Sequence, residues 1–244
     1  RVASGIELTE SGQRLYDYAN TVLSEYDKLK KEIDMIRASE EGTVELLVAY
    51  DILRYLTPDC ILEFQKKYPN VTFSYMEYPD RIVEKMLLDK EGNVALSIGP
   101  FAGDCFDMKS LKKCSLGLLV YEEHSLAKKR EATILDLEGE PLYLENSSFK
   151  LNEFIQSRCW NRGFEPDIVF ETNGFDLCYK MCRLKRGISV TIDFVHEDMN
   201  TDGLVMIPFA EDDMIWEIGL LTLKDRAMES SVEKFYKYIE NYNN

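Results

Sequence analysis

The chain has 244 residues, with 29 Lys and Arg against 44 Asp and Glu and a formal net charge of −15. That acidity argues against nucleic acid or an anionic membrane as a direct partner, because polyanion binding needs basic clusters that displace counterions. With 45% hydrophobic and 30% charged residues but only 13 Gly and 7 Pro, the composition excludes a disordered tail or a fibre and suits one large domain or two modest ones.

The first element is a helix over residues 10–38, roughly 43 Å long. Leu15, Ala19, Val22, Tyr26, Leu29, Ile33 and Ile36 repeat at 4-3-4-3-4-3 spacing among charged residues, which is the a/d seam of a coiled coil. So narrow a seam predicts a partner helix, hence a homodimer. Thr9 is placed to cap the N-terminus and Glu10 suits the helix dipole, while residues 39–42 form the exit.

Beyond Gly42 the pattern becomes alternating strands and helices: strand 44–50, helix 53–68, strand 71–78, helix 81–88 and strand 94–98. A second series follows with strand 116–120, a helix from about residue 135, strand 142–144, helix 149–162, strand 167–170, helix 175–184 and strand 188–191. Residues 204–209, strand 216–223 and an amphipathic helix over 228–242 complete the chain. This order predicts right-handed crossovers and largely parallel sheets in two α/β lobes with a cleft between them. The echo of Leu116-Gly117-Leu118-Leu119 in Ile218-Gly219-Leu220-Leu221 places the crossings near Cys114 and Ile215. Lobe I is then 42–114 with 215–244, and lobe II is 115–214.

No stretch reaches the roughly 18 apolar residues of a membrane helix, and Arg1 to Gly5 carry no signal-peptide segment, so a cytoplasmic protein without a membrane partner is expected. The chain does not begin with Met, which suggests a piece of a longer protein. Cys60, Cys105, Cys114, Cys159, Cys178 and Cys182 form no CxxC pair, consistent with reduced thiols. Cys178 and Cys182 share a helix face, but no further ligands stand at metal spacing, so neither metal nor cofactor is expected. No GxSxG, HExxH, Walker or GxGxxG motif is present, and His124 and His196 lie far apart in acidic segments expected to be exposed, so no catalytic residues are assigned. Glu211-Asp212-Asp213 reads as a solvated loop.

Binding chemistry is expected where helices start at the cleft: after Asp51-Ile52, after Glu145-Asn146-Ser147-Ser148 and after Asn173-Gly174. Unpaired backbone N–H groups there favour anions, so a small carboxylate or similar polar metabolite is the expected effector, with Arg54 as its ion-pair partner. Gly99-Pro100-Phe101 and Thr191 would complete the pocket with Phe101 as apolar wall, and the Ile52-Leu53 pair and Phe149 read equally well as further apolar lining or as core. Ser147, Ser148 and Asn173 read equally well as ordinary helix caps.

Arg1, Gly5, Leu8-Thr9 and Gly12, the heptad helix, Gly42 with the strand after it, Leu56-Thr57-Pro58, Phe64, Tyr68-Pro69-Asn70-Val71, His124-Ser125-Leu126-Ala127 and Gly187-Ile188 occur in an order that resembles the LysR-type transcriptional regulators. The sequence departs from that pattern at Asn93, Ser125, Lys185 and Ile192. The resemblance implies two Rossmann-like lobes of the type II periplasmic-binding-protein kind behind a linker helix at 13–41, with residues 1–12 a remnant of the winged helix-turn-helix. It further implies a small-molecule effector, a homodimer that in this family often pairs into a homotetramer, and contact with DNA only through a missing N-terminal domain. Two rivals share the architecture: a transport-type solute-binding protein, which has no use for a dimerising helix, and an enzyme.

Overall fold

The computed structural model describes residues 8–39, 42–101 and 104–242, with the backbone alone for 31–39. Helix α1 (Glu10–Ser39) leads the fold. The backbone N–H of Gly12 donates to Thr9 Oγ1 at 3.1 Å, so Thr9 caps the helix as its position predicts. Its seam is not spent on its own chain. Leu15, Val22, Tyr26 and Leu29 are 72%, 64%, 63% and 53% exposed, and Ala19 is exposed beside them. Ile33 and Ile36 are helical, but their side chains lie outside the described residues, as do Arg1 and Gly5.

The first half of the fold contains β1 (Gly42–Ala49), α2 (Ile52–Leu56), α3 (Asp59–Lys67), β2 (Val71–Tyr78), α4 (Asp80–Leu88) and β3 (Val94–Ile98). Strand β1 runs parallel to β2 and β3 on either side. Every residue of β3 is buried, as expected for a strand covered on both faces. The single helix predicted over 53–68 is in fact two. Pro58 lacks an N–H and disfavours the helical conformation of the residue before it, and Thr57 takes φ 59 instead, so the chain turns between α2 and α3.

Strand β4 (Phe106–Tyr121) is 16 residues long and joins the two halves. Residues 106–115 pair antiparallel with β9 (Ile215–Leu223), and 116–121 pair antiparallel with β7 (Ile188–Ile192) and β8 (Leu204–Pro208). The second half adds β5 (Pro141–Glu145), α5 (Lys150–Asn161), β6 (Asp167–Thr172), α6 (Phe175–Arg183) and α7 (Asp193–Asp198), and α8 (Ser230–Tyr242) returns to pack against β1. The strand order is β2-β1-β3-β9-β4-β7-β5-β6, with β8 beside β4.

The sheet is therefore mixed rather than largely parallel, because the two strands that cross between the halves run against their neighbours. The strand expected at 116–120 is the buried end of β4. Its first part escaped notice because polar residues such as Lys109, Lys112 and Lys113 interrupt the apolar pattern. The helix expected from residue 135 is a short 3-10 turn, Ile134–Leu137. Helix α7 was not anticipated, since its six residues are too few to show a period.

Packing follows the helical stripes. Phe175, Cys178, Tyr179 and Cys182 stand at i, i+3, i+4 and i+7 of α6 and are all buried. In the first half Phe64 anchors an aromatic cluster, with its ring 5.0 Å from Phe235 and 5.8 Å from Phe73. Among the departures from the family pattern, Asn93 bridges the β1 backbone by accepting from Glu45 N at 2.9 Å and donating to Thr43 O at 3.0 Å. Lys185 adopts φ 55, the left-handed conformation that suits Gly, after the end of α6.

Candidate functional site

Strands β1, β3, β5 and β7 direct their carboxyl ends into the space between the halves, where open α/β sheets bind ligands. That space is lined by Tyr50, Asp51 and Ile52 after β1, Ile98 at the end of β3, Glu145 at the end of β5 and Ile192 at the end of β7. Asp80 from α4, Phe149 and Leu151 around the start of α5, Phe175 from α6, Phe194 from α7 and Trp216 from β9 close it. The cavity holds about 20 Å³, room for about one water. Tyr50 and Asp51 separate it from an outer groove of about 500 Å³, which is also lined by Arg54, Glu77, Asn173, Asp176 and Asp198.

The chemistry of this region starts in α4. Its buried stripe is Asp80, Val83, Glu84 and Leu87, at i, i+3, i+4 and i+7, so two carboxyl groups sit where a core helix normally places apolar residues. Lys150 answers them from the other half. Its backbone N–H donates to Asp80 Oδ1 at 3.0 Å, and its ammonium group pairs with Glu84 and donates to Ile98 O at 2.7 Å. Ser97 Oγ donates to Glu84 Oε1 at 3.1 Å. Burial pushes the Asp80 carboxyl up to about 6, against the opposing pull of the Lys150 charge.

Glu145 is 4% exposed, and its carboxyl makes no hydrogen bond or ion pair with any described residue. Burial, reinforced by the nearby Asp51 and Asp80 charges, holds it well above the usual carboxylate range. The indole N–H of Trp216, 3% exposed, also has no acceptor. Asp51 stands at φ 68, a left-handed turn that Asp tolerates, and binds Arg54 Nε at 2.5 Å.

The residues singled out from sequence divide. Asp51, Ile52 and Phe149 line the inner cavity, whereas Arg54 and Asn173 line the outer groove with Asp51. Gly99, Pro100, Phe101, Asn146, Ser147, Ser148 and Thr191 line neither. The Phe101 ring instead lies against Gly219, where an added Cβ would come within 2.8 Å of it, and beneath the Lys150 ammonium at 4.8 Å. Asn146 donates to Asn173 Oδ1 at 2.6 Å and accepts from Ser148 N at 2.8 Å, so it organises its own loop. Thr191 is fully buried and bonded to the Tyr179 hydroxyl at 2.9 Å.

Arg54 meets Asp198 at 2.7 Å and Asp176 at 3.5 Å in addition to Asp51, so its charge is already matched. His124 is buried rather than exposed: Nδ1 accepts from Leu126 N at 3.3 Å, and Nε2 lies 3.4 Å from Glu140. His196 is half-buried with Nδ1 3.1 Å from the Tyr179 hydroxyl. Within the acidic loop, Glu211 accepts from Ile134 N at 3.0 Å and so caps the 3-10 turn instead of being solvated.

The LysR substrate binding domain family matches residues 37–243. The chain belongs to this family. Its similarity to an uncharacterized HTH-type regulator YwbI of Bacillus subtilis is 25% identity over 185 residues, 76% of this chain and 62% of YwbI. The transcriptional dual regulator GltC of the same organism is 23% identical over 241 residues, 98% of this chain and 80% of GltC. The effector binding domain of QuiR, solved in complex with shikimate, shares the fold at a TM-score of 0.70 and 18% identity, covering 84% of this chain and 98% of that one. The chain thus spans less than two thirds of YwbI and four fifths of GltC.

As a LysR effector-binding domain, the chain carries its cleft chemistry in Asp80, Trp216 and the acids Glu77, Asp176 and Asp198, to which sequence reading assigns no role, and in Glu145, which it places only in a helix-start segment. One signal was available. Asp80 and Glu84 share the helical stripe of Val83 and Leu87, which marks two acids on a core face.

Proposed function

We propose that this chain is the effector-sensing and dimerising portion of a LysR-type transcription regulator. The observation that carries the reading is the pairing of a cavity between two halves with a helix whose heptad seam is exposed. A small molecule held between the halves biases their geometry, and α1, paired with its counterpart in a homodimer, passes that bias to a DNA reader. A net charge of −15 makes these residues themselves a poor DNA reader. A ligand shifts such an equilibrium only by its unequal affinity for the two states.

The moving units are residues 42–114 with 215–244 and residues 115–214. The contacts between them are both polar and aromatic: Lys150 with Asp80 and Glu84, Arg81 with Glu153, Arg54 with Asp176 and Asp198 and Lys112 with Glu197, beside the ring pairs Tyr50–Phe149 and Phe154–Trp216. An effector larger than a water requires this joint to open, because the cavity holds about 20 Å³. Relatives named as transcriptional regulators and a neighbour solved with shikimate support a non-catalytic, cytoplasmic sensor.

A thermal-shift screen of small metabolites tests the reading, since a molecule that binds only the folded state raises the melting temperature by mass action. Binders that raise it without being consumed are expected. Turnover of a binder would show an enzyme, and a screen without any binder would remove the sensor reading.

A further inference from the structure

The helix-start argument favours an anionic effector, but at the start of α5 and at both nearby cations the chain itself already supplies the negative partner. Asp80 takes the N-terminus of α5, Asp51 and Asp198 take Arg54, and Glu84 takes Lys150. What lines the inner cavity is acidic: Asp51, Asp80 and Glu145, with no basic side chain among the lining residues. The outer groove continues the sign, with Asp51, Glu77, Asp176 and Asp198 against Arg54 alone. An acidic approach with low-dielectric walls concentrates cations.

A group of acids is not in itself a site; two buried polar groups make this one specific. The Glu145 carboxyl has no partner among the described residues, although its residue is only 4% exposed. The Trp216 indole N–H is buried without an acceptor among the described residues. Around them stand the aromatic rings of Phe149, Phe175 and Phe194, apolar surface that also favours a cation over a ring face.

We propose that the effector is a small organic cation whose ammonium, amidinium or guanidinium group binds Glu145, with an oxygen accepting from Trp216 and an apolar body against the phenylalanines. This rests on the reading that the effector enters between the two halves. It replaces the carboxylate expectation with the opposite charge.

The test compares matched probes. Benzylamine and agmatine are titrated into the protein alongside benzoate and the neutral benzyl alcohol, with affinity from calorimetry and location from the indole ¹H–¹⁵N signals. The chain has two tryptophans, and Trp160, 55% exposed on α5, serves as the internal control for surface binding. The expected result is that at least one amine binds, shifts the Trp216 signal and leaves the Trp160 signal in place, while benzoate does not bind. Glu145→Gln is expected to weaken that binding roughly 10-fold to 100-fold, the loss of a charge-assisted hydrogen bond. Asp51→Asn serves as a second variant with a smaller loss if the first fails to fold.

Benzoate binding with a shift of the Trp216 signal and no amine binding would overturn the cationic class and leave the sensor intact. Amine binding that moves only Trp160, or that Glu145→Gln and Asp51→Asn do not weaken, would also overturn it. If no probe binds, the cationic class falls, and the metabolite screen then decides separately whether the sensor reading falls with it.

Discussion

Asp80, in the first turn of α4, accepts the backbone N–H of Lys150, the first residue of α5, at 3.0 Å. A carboxylate from one half of the molecule thereby occupies the positive end of a helix in the other. The same lysine carries its ammonium group to Glu84 and to the carbonyl of Ile98, so one residue joins α5 to both α4 and the end of β3.

Lys150→Met is expected to destabilise the fold by about 3–5 kcal/mol, because it leaves Glu84 buried without its cation. Lys150→Met combined with Glu84→Gln should recover most of that loss. Urea denaturation of the two variants checks it; equal losses would show that the lysine stem, rather than its charge, is what matters.

The cavity acids set a pH dependence. Asp80, raised to about 6, and Glu145, held well above the ordinary carboxylate range by burial, bind protons more tightly in the folded than in the unfolded chain. Their contribution is therefore most favourable below the unfolded carboxylate range and is lost as pH rises through the folded values. For Asp80 this amounts to about 3 kcal/mol at most. The groups facing Glu145 are Asp51, Asp80 and Cys178, with Lys150 pulling Asp80 the other way. Melting temperature should fall as pH rises from about 4 through about 6, the range in which Asp80 ionises, and Glu145→Gln should flatten the fall that remains above it; an unchanged slope would place the effect elsewhere.

Replacing Ala19, Val22 and Leu29 together by Glu puts like charges along the α1 seam. The homodimer proposed above is expected to dissociate in sedimentation velocity, while the melting temperature of the rest of the protein holds, since these side chains are exposed in the single chain. Persistence of the dimer would assign dimerisation to another surface.

Gly187, which opens β7, has no room for a side chain: an added Cβ would strike the Pro141 carbonyl oxygen and approach Tyr143 Cε2 at 2.7 Å. Gly187→Ala should cost about 1–3 kcal/mol by overpacking. A neutral substitution, read by denaturant midpoint, would show that β5 and β7 can separate at that point.

Much of this protein is legible without coordinates. The heptad spacing from Leu15, the strand and helix periods and the Gly187-Ile188 step are local patterns, set by backbone geometry over a few residues. They locate α1 and most of the strands. Pro58 carried a local signal too, and the break it makes between α2 and α3 follows from its missing N–H.

The tertiary structure alone decided the chemistry of the cleft. Arg54 reads as a free anion partner until the fold brings Asp176 and Asp198 to it from 122 and 144 residues away. Asp80 stands just before the predicted helix 81–88 and Glu145 in the segment before helix 149–162, and only the fold brings both into one low-dielectric space. Electrostatic character depends on distance and burial, and neither is set by neighbours in sequence. Periodicity determined where the cavity would form, and long-range packing determined the sign of the charge inside it.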